Sequence, residues 1–230
     1  IVYIGDFPVM LKSRICPLSS LTSEELVRIG EDPLDPGGYF IVNGSERVVV
    51  ALEDLAPNRI LVDTEKTGVT PTYKAKIFST TVGFRARIEV TMKSDGAILI
   101  SMPGVPADLP IIVMMKALGI EEDAKIAEMV SPEMDTQSEL ESSFDKAQGV
   151  ISAKDAFLFI GNRLAPGQVE EYRMKKAETV VDRNFLPHLG RAPANRFDKA
   201  VFLAEIANRI IELKLGKREP DDKDHYANKR

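Results

Sequence analysis

This chain of 230 residues has one cysteine, two histidines and no long apolar run. A single thiol, Cys16, can neither close an internal disulfide nor build a multi-cysteine zinc site. A disulfide-stapled scaffold and a zinc-finger module are therefore excluded, and an intracellular, cytoplasmic setting is expected. Cys16 itself reads as a buried core thiol. With only His188 and His225, the chain lacks the three ligands and base of a zinc hydrolase. The longest apolar stretches, such as Ile111-Ile112-Val113-Met114-Met115, are core-sized. A bilayer span needs roughly 20 such residues. There is no N-terminal signal pattern, no internal repeat at solenoid periods and no low-complexity tract. The first residue is Ile rather than Met and the last two are Lys229-Arg230, which suggests a piece of something larger.

The length allows one or two domains with a real core. Net charge is −5, unevenly spread. Lys214 to Arg230 holds six Lys/Arg and four Asp/Glu, so this tail is +2 and the other 213 residues are −7. That balance argues against coating nucleic acid over the whole surface and places any such contact near the C-terminus. The acidic remainder suits protein partners or plain solubility.

The first 57 residues read as mixed α/β. Val9 to Ile15 is an expected strand. Thr22 and Glu25 have capping-box spacing and open a short helix that should stop at Gly30. Tyr39 to Val42, Asn43-Gly44 and Ser45 to Leu52 form a hairpin pattern, because Asn-Gly supplies the two positive φ angles of a type I′ turn. From Pro57 the pattern changes to an antiparallel meander: Arg59 to Lys66, Thr72 to Thr81, Phe84 to Lys93 and Ala97 to Met102. In the third strand Phe84, Ala86, Ile88, Val90 and Met92 alternate with Arg85, Arg87, Glu89, Thr91 and Lys93. Pro103, Pro106 and Pro110 break the pattern. Helices are expected over Ile111 to Leu118, Glu121 to Val130 and Ser152 to Leu164, the last with Ser152 and Asp155 at capping-box spacing. Met134 to Gln148 reads as a polar, mobile connection. Gln168 to Phe185 and Phe197 to Leu215 are long amphipathic helices. The apolar face of the second is Phe197, Ala200, Val201, Ala204, Ala207, Ile210 and Ile211. The fold class is α+β: a small mixed domain followed by an inserted unit of meander plus helices.

The densest polar chemistry is the final decapeptide, Asp221-Asp222-Lys223-Asp224-His225-Tyr226-Ala227-Asn228-Lys229-Arg230. Its carboxylates are of the type that binds a hard cation. A stand-alone metal-dependent phosphoester hydrolase using Asp221, Asp222, Asp224 and His225 is the rival this allows. Local salt bridges to Lys223, Lys229 and Arg230 that order the loop explain the same residues more simply. Lys229 and Arg230 suit phosphate, or a solvated terminus. Lys214, Lys217 and Arg218 suit the end of a helix dipole. Arg85, Arg87 and Lys93 make a basic strand face, which is usually the wet side of a sheet. His188, in a Pro-His-Leu turn, reads as structural. Asp35-Pro36-Gly37-Gly38 lacks the Lys-Ser/Thr of a phosphate loop. No Ser/His/Asp or Cys/His nucleophile system assembles, so no catalytic residue is expected.

Several segments resemble the second-largest subunit of archaeal/eukaryotic-type DNA-directed RNA polymerase. They are Tyr3-Ile4-Gly5 with Phe7-Pro8-Val9-Met10-Leu11, the stretch Asp35 to Val48, Asp108-Leu109-Pro110-Ile111, Ala117-Leu118-Gly119, Phe185-Leu186-Pro187-His188 and the final decapeptide. The archaeal subunit is the nearest match. The resemblance implies an architecture: 1–55 as the first part of the protrusion, 56–187 as the inserted lobe, 188–217 as the helical remainder of the protrusion and 218–230 as the start of the fork.

It also implies a function. In that family the enzyme joins nucleotides with two metal ions held by the largest subunit, so this chain should carry no cofactor and no catalytic centre, and be inactive alone. Magnesium belongs to the complete polymerase. The chain should form a wall of the DNA cleft. The implied partners are the other polymerase subunits, especially the largest, template DNA and the RNA–DNA hybrid, and transcription factors docking on the lobe, with no membrane. Asn228, Lys229 and Arg230 are carried over as nucleic-acid contacts, and Asp221, Asp222, Asp224 and His225 as loop-ordering groups. A pure transcription-factor docking module is a second alternative.

Overall fold

The computed structural model describes residues 2, 3, 5–66 and 70–230, in two compact units, Ile1–Glu53 and Asp54–Arg230. Ile4 of the Tyr3-Ile4-Gly5 motif lies outside the described residues.

In the first unit, helix α1 (Ser23–Ile29) begins at the expected box. The Thr22 amide donates to Glu25 Oε2 at 2.8 Å and the Glu25 amide to Thr22 Oγ1 at 3.4 Å. Gly30, at φ 85°, ends it. Strands β1 (Phe40–Val42) and β2 (Ser45–Arg47) pair antiparallel around Asn43 and Gly44, both at positive φ. The second strand stops at Arg47 instead of reaching Leu52. Val9 to Ile15 is not a strand. Lys12 turns the chain at φ 55°, and the Ser13 and Cys16 amides close local turns on Met10 and Ser13. Only Leu11 keeps ladder-like bonds, donating to Tyr39 at 2.8 Å and accepting from Gly38 at 2.9 Å. Gly37 permits that approach, since a Cβ there would lie 2.6 Å from the Leu11 carbonyl oxygen.

The second unit is built on a five-stranded antiparallel sheet in the order β3 (Leu61–Lys66), β4 (Pro71–Thr81), β5 (Phe84–Met92), β6 (Ile98–Ser101), β7 (Leu109–Pro110). The meander expected from the sequence is present. β7 is an addition: the pattern-breaking Pro110 is tolerated because an edge position needs no ladder amide from it. Alternation fixes the faces. Ala75, Ile77, Ala86, Ile88, Val90, Met92, Ile98 and Ile100 are buried on one side. Helices α2 (Ile111–Ala117), α3 (Asp123–Val130), α6 (Ala153–Leu164), α7 (Glu170–Asn184) and α8 (Arg196–Lys214) share their core.

Two expectations need correcting. Met134 to Gln148 is not a structureless connection. It forms α4 (Met134–Ser138) and α5 (Glu141–Asp145), pinned by buried Leu140 and Ala147 and by Ser143, whose hydroxyl accepts the Ile98 amide at 3.0 Å. Few apolar residues do the anchoring, so composition hid them. In α8, Phe197 and Val201 are exposed, whereas Lys199, Leu203, Ile206 and Leu213 join Ala200, Ala204, Ala207, Ile210 and Ile211 inside. The helix is enclosed over a wider arc than one stripe.

Lys199 is fully buried because it closes the end of α7. Its ammonium donates to the Asp182 carbonyl at 2.7 Å and the Val181 carbonyl at 3.4 Å, groups that a helix C-terminus leaves without partners. Arg196 grips both Asp182 carboxylate oxygens at 2.8 Å and lies over the Phe157 ring. Burial pushes the Lys199 ammonium down to about 8. His188 is structural as expected. Its amide donates to Ser79 Oγ at 3.2 Å, Nδ1 sits 2.7 Å from the same oxygen, and Phe202 packs edge-on. Burial, then the charge of Lys199, lowers its pKa. Packing in this unit does not break at residues 187 and 188, where the resemblance draws a boundary: α8 packs on α3 and on β3, β4 and β5.

Candidate nucleic-acid interface

The C-terminal segment is ordered by pairing with the start of its own unit. Asp54 and Arg230 exchange backbone bonds, 2.9 Å from the Arg230 amide and 3.3 Å from the Asp54 amide. The Ala56 amide donates to the Asn228 carbonyl at 2.9 Å, and Leu55 and Lys229 form an antiparallel bridge. Further back, Arg59 donates to the Ala227 carbonyl. Lys223 pairs with Asp63, holding that carboxyl below the usual range. Asp221 covers the free edge of β3, donating its amide to the Val62 carbonyl and accepting the Val62 amide on Oδ2, both at 2.8 Å. An exposed edge strand is thereby capped.

The decapeptide residues divide by what they touch. Asp221 also meets Arg218 at 3.2 Å. Asp222 Oδ1 accepts the Asp224 amide at 2.8 Å, and its carbonyl accepts Asn228 Nδ2 at 2.7 Å. His225 Nδ1 accepts the Ala227 amide at 3.1 Å. The amide side chain of Asn228 is thus committed to the loop itself. Asp224 pairs with Lys229 at 3.4 Å while keeping an almost fully exposed carboxylate. Arg230 stays exposed. Among the described residues, no three His, Cys, Asp or Glu side chains gather as a metal site requires, so the hydrolase reading is not supported.

Sequence reasoning missed Asp54, Arg59 and Asn58. Asp54 accepts from Arg85 at 2.8 Å, which holds its carboxyl below the usual range, with smaller contributions from the Leu55 amide and the charge of Arg230. Asn58 closes both sides of Thr80, accepting its amide at 2.7 Å and donating to its carbonyl at 3.4 Å. The Pro57 register change was the only signal nearby. Nothing local links Arg59 to Ala227, 168 positions away. The helix-end cations also have partners, Lys214 with Glu139 and Lys217 with Glu133 at 2.5 Å. No helix among the described residues is long and apolar enough to cross a membrane.

Residues 48–230 match the family model described as RNA polymerase Rpb2, domain 2. The chain is 53% identical over 229 residues to the DNA-directed RNA polymerase subunit Rpo2 of Saccharolobus solfataricus, covering all of this chain and 20% of that one. It is 46% identical to subunit Rpo2N of Methanococcus vannielii over 232 residues, covering 46% of it, and 41% identical to Rpo2N of Halobacterium salinarum over 231 residues, covering 44%. The chain thus spans from a fifth to about half the length of these curated relatives. With four-fifths of its length inside the family model and identity running from end to end, the chain belongs to the RNA polymerase Rpb2, domain 2 family.

Proposed function

We propose that this chain is a non-catalytic part of the second-largest subunit of an archaeal-type DNA-directed RNA polymerase. It builds a wall of the nucleic-acid path and offers docking surfaces to the other subunits, chiefly the largest, and to transcription factors. The observation that carries this reading is the end-to-end identity with subunits named for that enzyme. On it, 1–55 and 188–217 are protrusion, 56–187 is lobe and 218–230 opens the fork. The magnesium ions of nucleotide addition belong to the largest subunit, the setting is cytoplasmic, and the partners within the path are template DNA and the RNA–DNA hybrid.

Within this frame Lys229 and Arg230 neutralise backbone phosphate without reading sequence, which suits an enzyme that must copy any template. Their antiparallel pairing with 54–56 supports the role, because it fixes the backbone from which both side chains project. Asp221, Asp222, Asp224 and His225 shape the loop that presents them. Asn228 contributes through its position in that loop, since its side chain is spent on Asp222.

The test is an assembled archaeal polymerase carrying Lys229→Ala or Arg230→Ala. Elongation-complex lifetime in moderate salt should fall about fivefold for each lost phosphate contact, with subunit assembly unchanged. Parental lifetimes in both variants would overturn the phosphate role. They would favour the second reading, a pure factor-docking module, which the −7 balance of the residues before Lys214 supports.

A further inference from the structure

The helices cover one face of the five-stranded sheet and leave the alternate residues of β4 and β5 on the other. In register from the hairpin end, that outer face carries Thr80 opposite Arg85, Phe78 opposite Arg87, Lys76 opposite Glu89 and Lys74 opposite Thr91. Arg85 lies over the Phe78 ring, 4.4 Å from its centre. Its pairing with Asp54 joins it to Arg230, whose backbone bonds to that same residue. The sheet face and the C-terminal segment are therefore one continuous cationic surface.

Few counter-ions serve it. Glu89 meets both Arg87, at 3.0 Å, and Lys74, at 3.9 Å, and Asp54 serves Arg85 beside Arg230. Each guanidinium has five donors in a planar fork, and one carboxylate contact each leaves most of them directed at solvent. The side chain of Arg87 is 60% exposed. Arg85 and Arg87 stand two residues apart, about 6.8 Å along an antiparallel strand, so they cannot share one anion and suit successive groups of a repeating polyanion. The nearby amide that could read a base edge, Asn58, is spent on Thr80.

We propose that the outer face of β4 and β5, through Arg85, Arg87 and Lys76, binds the sugar-phosphate backbone of a nucleic-acid duplex and extends the contact begun by Lys229 and Arg230. Asp54 is the competing anion that holds Arg85 when the duplex is absent. This rests on the polymerase reading for its partner, and it adds a surface which that reading does not need. Charge complementarity and the regular spacing select a phosphate backbone over an acidic protein.

The experiment measures binding of the 230-residue chain to a fluorescent mixed-sequence 30-base-pair DNA duplex by anisotropy, at several KCl concentrations. Arg87→Ala should weaken binding about fivefold in low salt and make the slope of log K against log[KCl] shallower by about 0.9, the signature of one lost phosphate contact. Arg85→Ala should act alike, and Arg87→Lys should restore most of the slope. Asp54→Asn should tighten binding about threefold, an effect that a merely structural Asp54 would not produce.

Arg87 projects to solvent from mid-strand, so its variant reports on binding even if Arg85→Ala loosens the fold. Parental affinity and slope in Arg87→Ala and Arg85→Ala would overturn the inference. A polyglutamate that competes as well as the duplex at equal charge would overturn it in favour of an acidic protein. The polymerase reading stands or falls separately, on elongation-complex lifetimes of the Lys229 and Arg230 variants.

Discussion

Among the described residues, the buried apolar side chains of Ile1–Glu53 are Cys16 and Leu26, and all the others belong to Asp54–Arg230. Yet the first unit carries the sharper local signals. It has a complete capping box, a left-handed glycine at the helix end and a two-residue turn with both φ angles positive. It also exposes Phe7, Ile15, Leu34, Val49 and Leu52. The second unit has weaker punctuation and a continuous core from Ile60 to Leu213. Local chemistry shapes short elements, while only long-range burial supplies most of the stability of a domain.

That contrast can be broken most directly by separating the units. Residues 54–230 expressed alone should unfold cooperatively on heating, and a peptide of residues 1–53 should show no cooperative transition by calorimetry. A sharp melt of the short peptide would refute the comparison. A finer test compares one leucine from each. Leu203→Ala, fully buried in α8, should cost about 2–5 kcal/mol in urea unfolding, and Leu34→Ala, 87% exposed, should stay within about 0.5 kcal/mol.

The third test uses the buried ammonium that only the second unit contains. With Lys199 lowered to about 8, the unfolded chain holds a proton that the folded chain releases between about pH 8 and the ordinary 10.5. Stability should therefore rise with pH across that window, and below it the penalty is present in full because both states are protonated. The gain should be on the order of 2–3 kcal/mol between pH 8 and 10.5 and should vanish in Lys199→Met. Equal pH slopes in the parent and the variant would show that Lys199 does not carry the effect.

The same contrast explains what could be read without coordinates. Period-two alternation in Phe84 to Met92 and the pairs Thr22–Glu25 and Ser152–Asp155 are written within a few residues, and the structure has them. The strand expected at Val9 to Ile15 failed because a positive φ at Lys12 has no signature in a lysine. The helices at Met134–Ser138 and Glu141–Asp145 were missed because Leu140 and Ala147 anchor them against partners distant in sequence. In the C-terminal segment the residue types were legible, but their assignments were not. Asn228 looked like a phosphate donor and is tied to Asp222, while Asp54, unremarked in the sequence, lies between Arg85 and Arg230.

The pairing of Asp54 with Arg230 has a mechanical side. These residues sit side by side at one end of a short antiparallel ladder, so tension between them loads its hydrogen bonds one after another. The Asp54–Arg230 bonds take the strain first, the Ala56–Asn228 bond next, and the Arg59 and Asp221 contacts only after those have parted. A pull along β4 and β5 is instead shared across all the rungs that join them. The stem is a compliant fuse in series with a stiff sheet: it yields at small force and leaves the core and the cationic face intact.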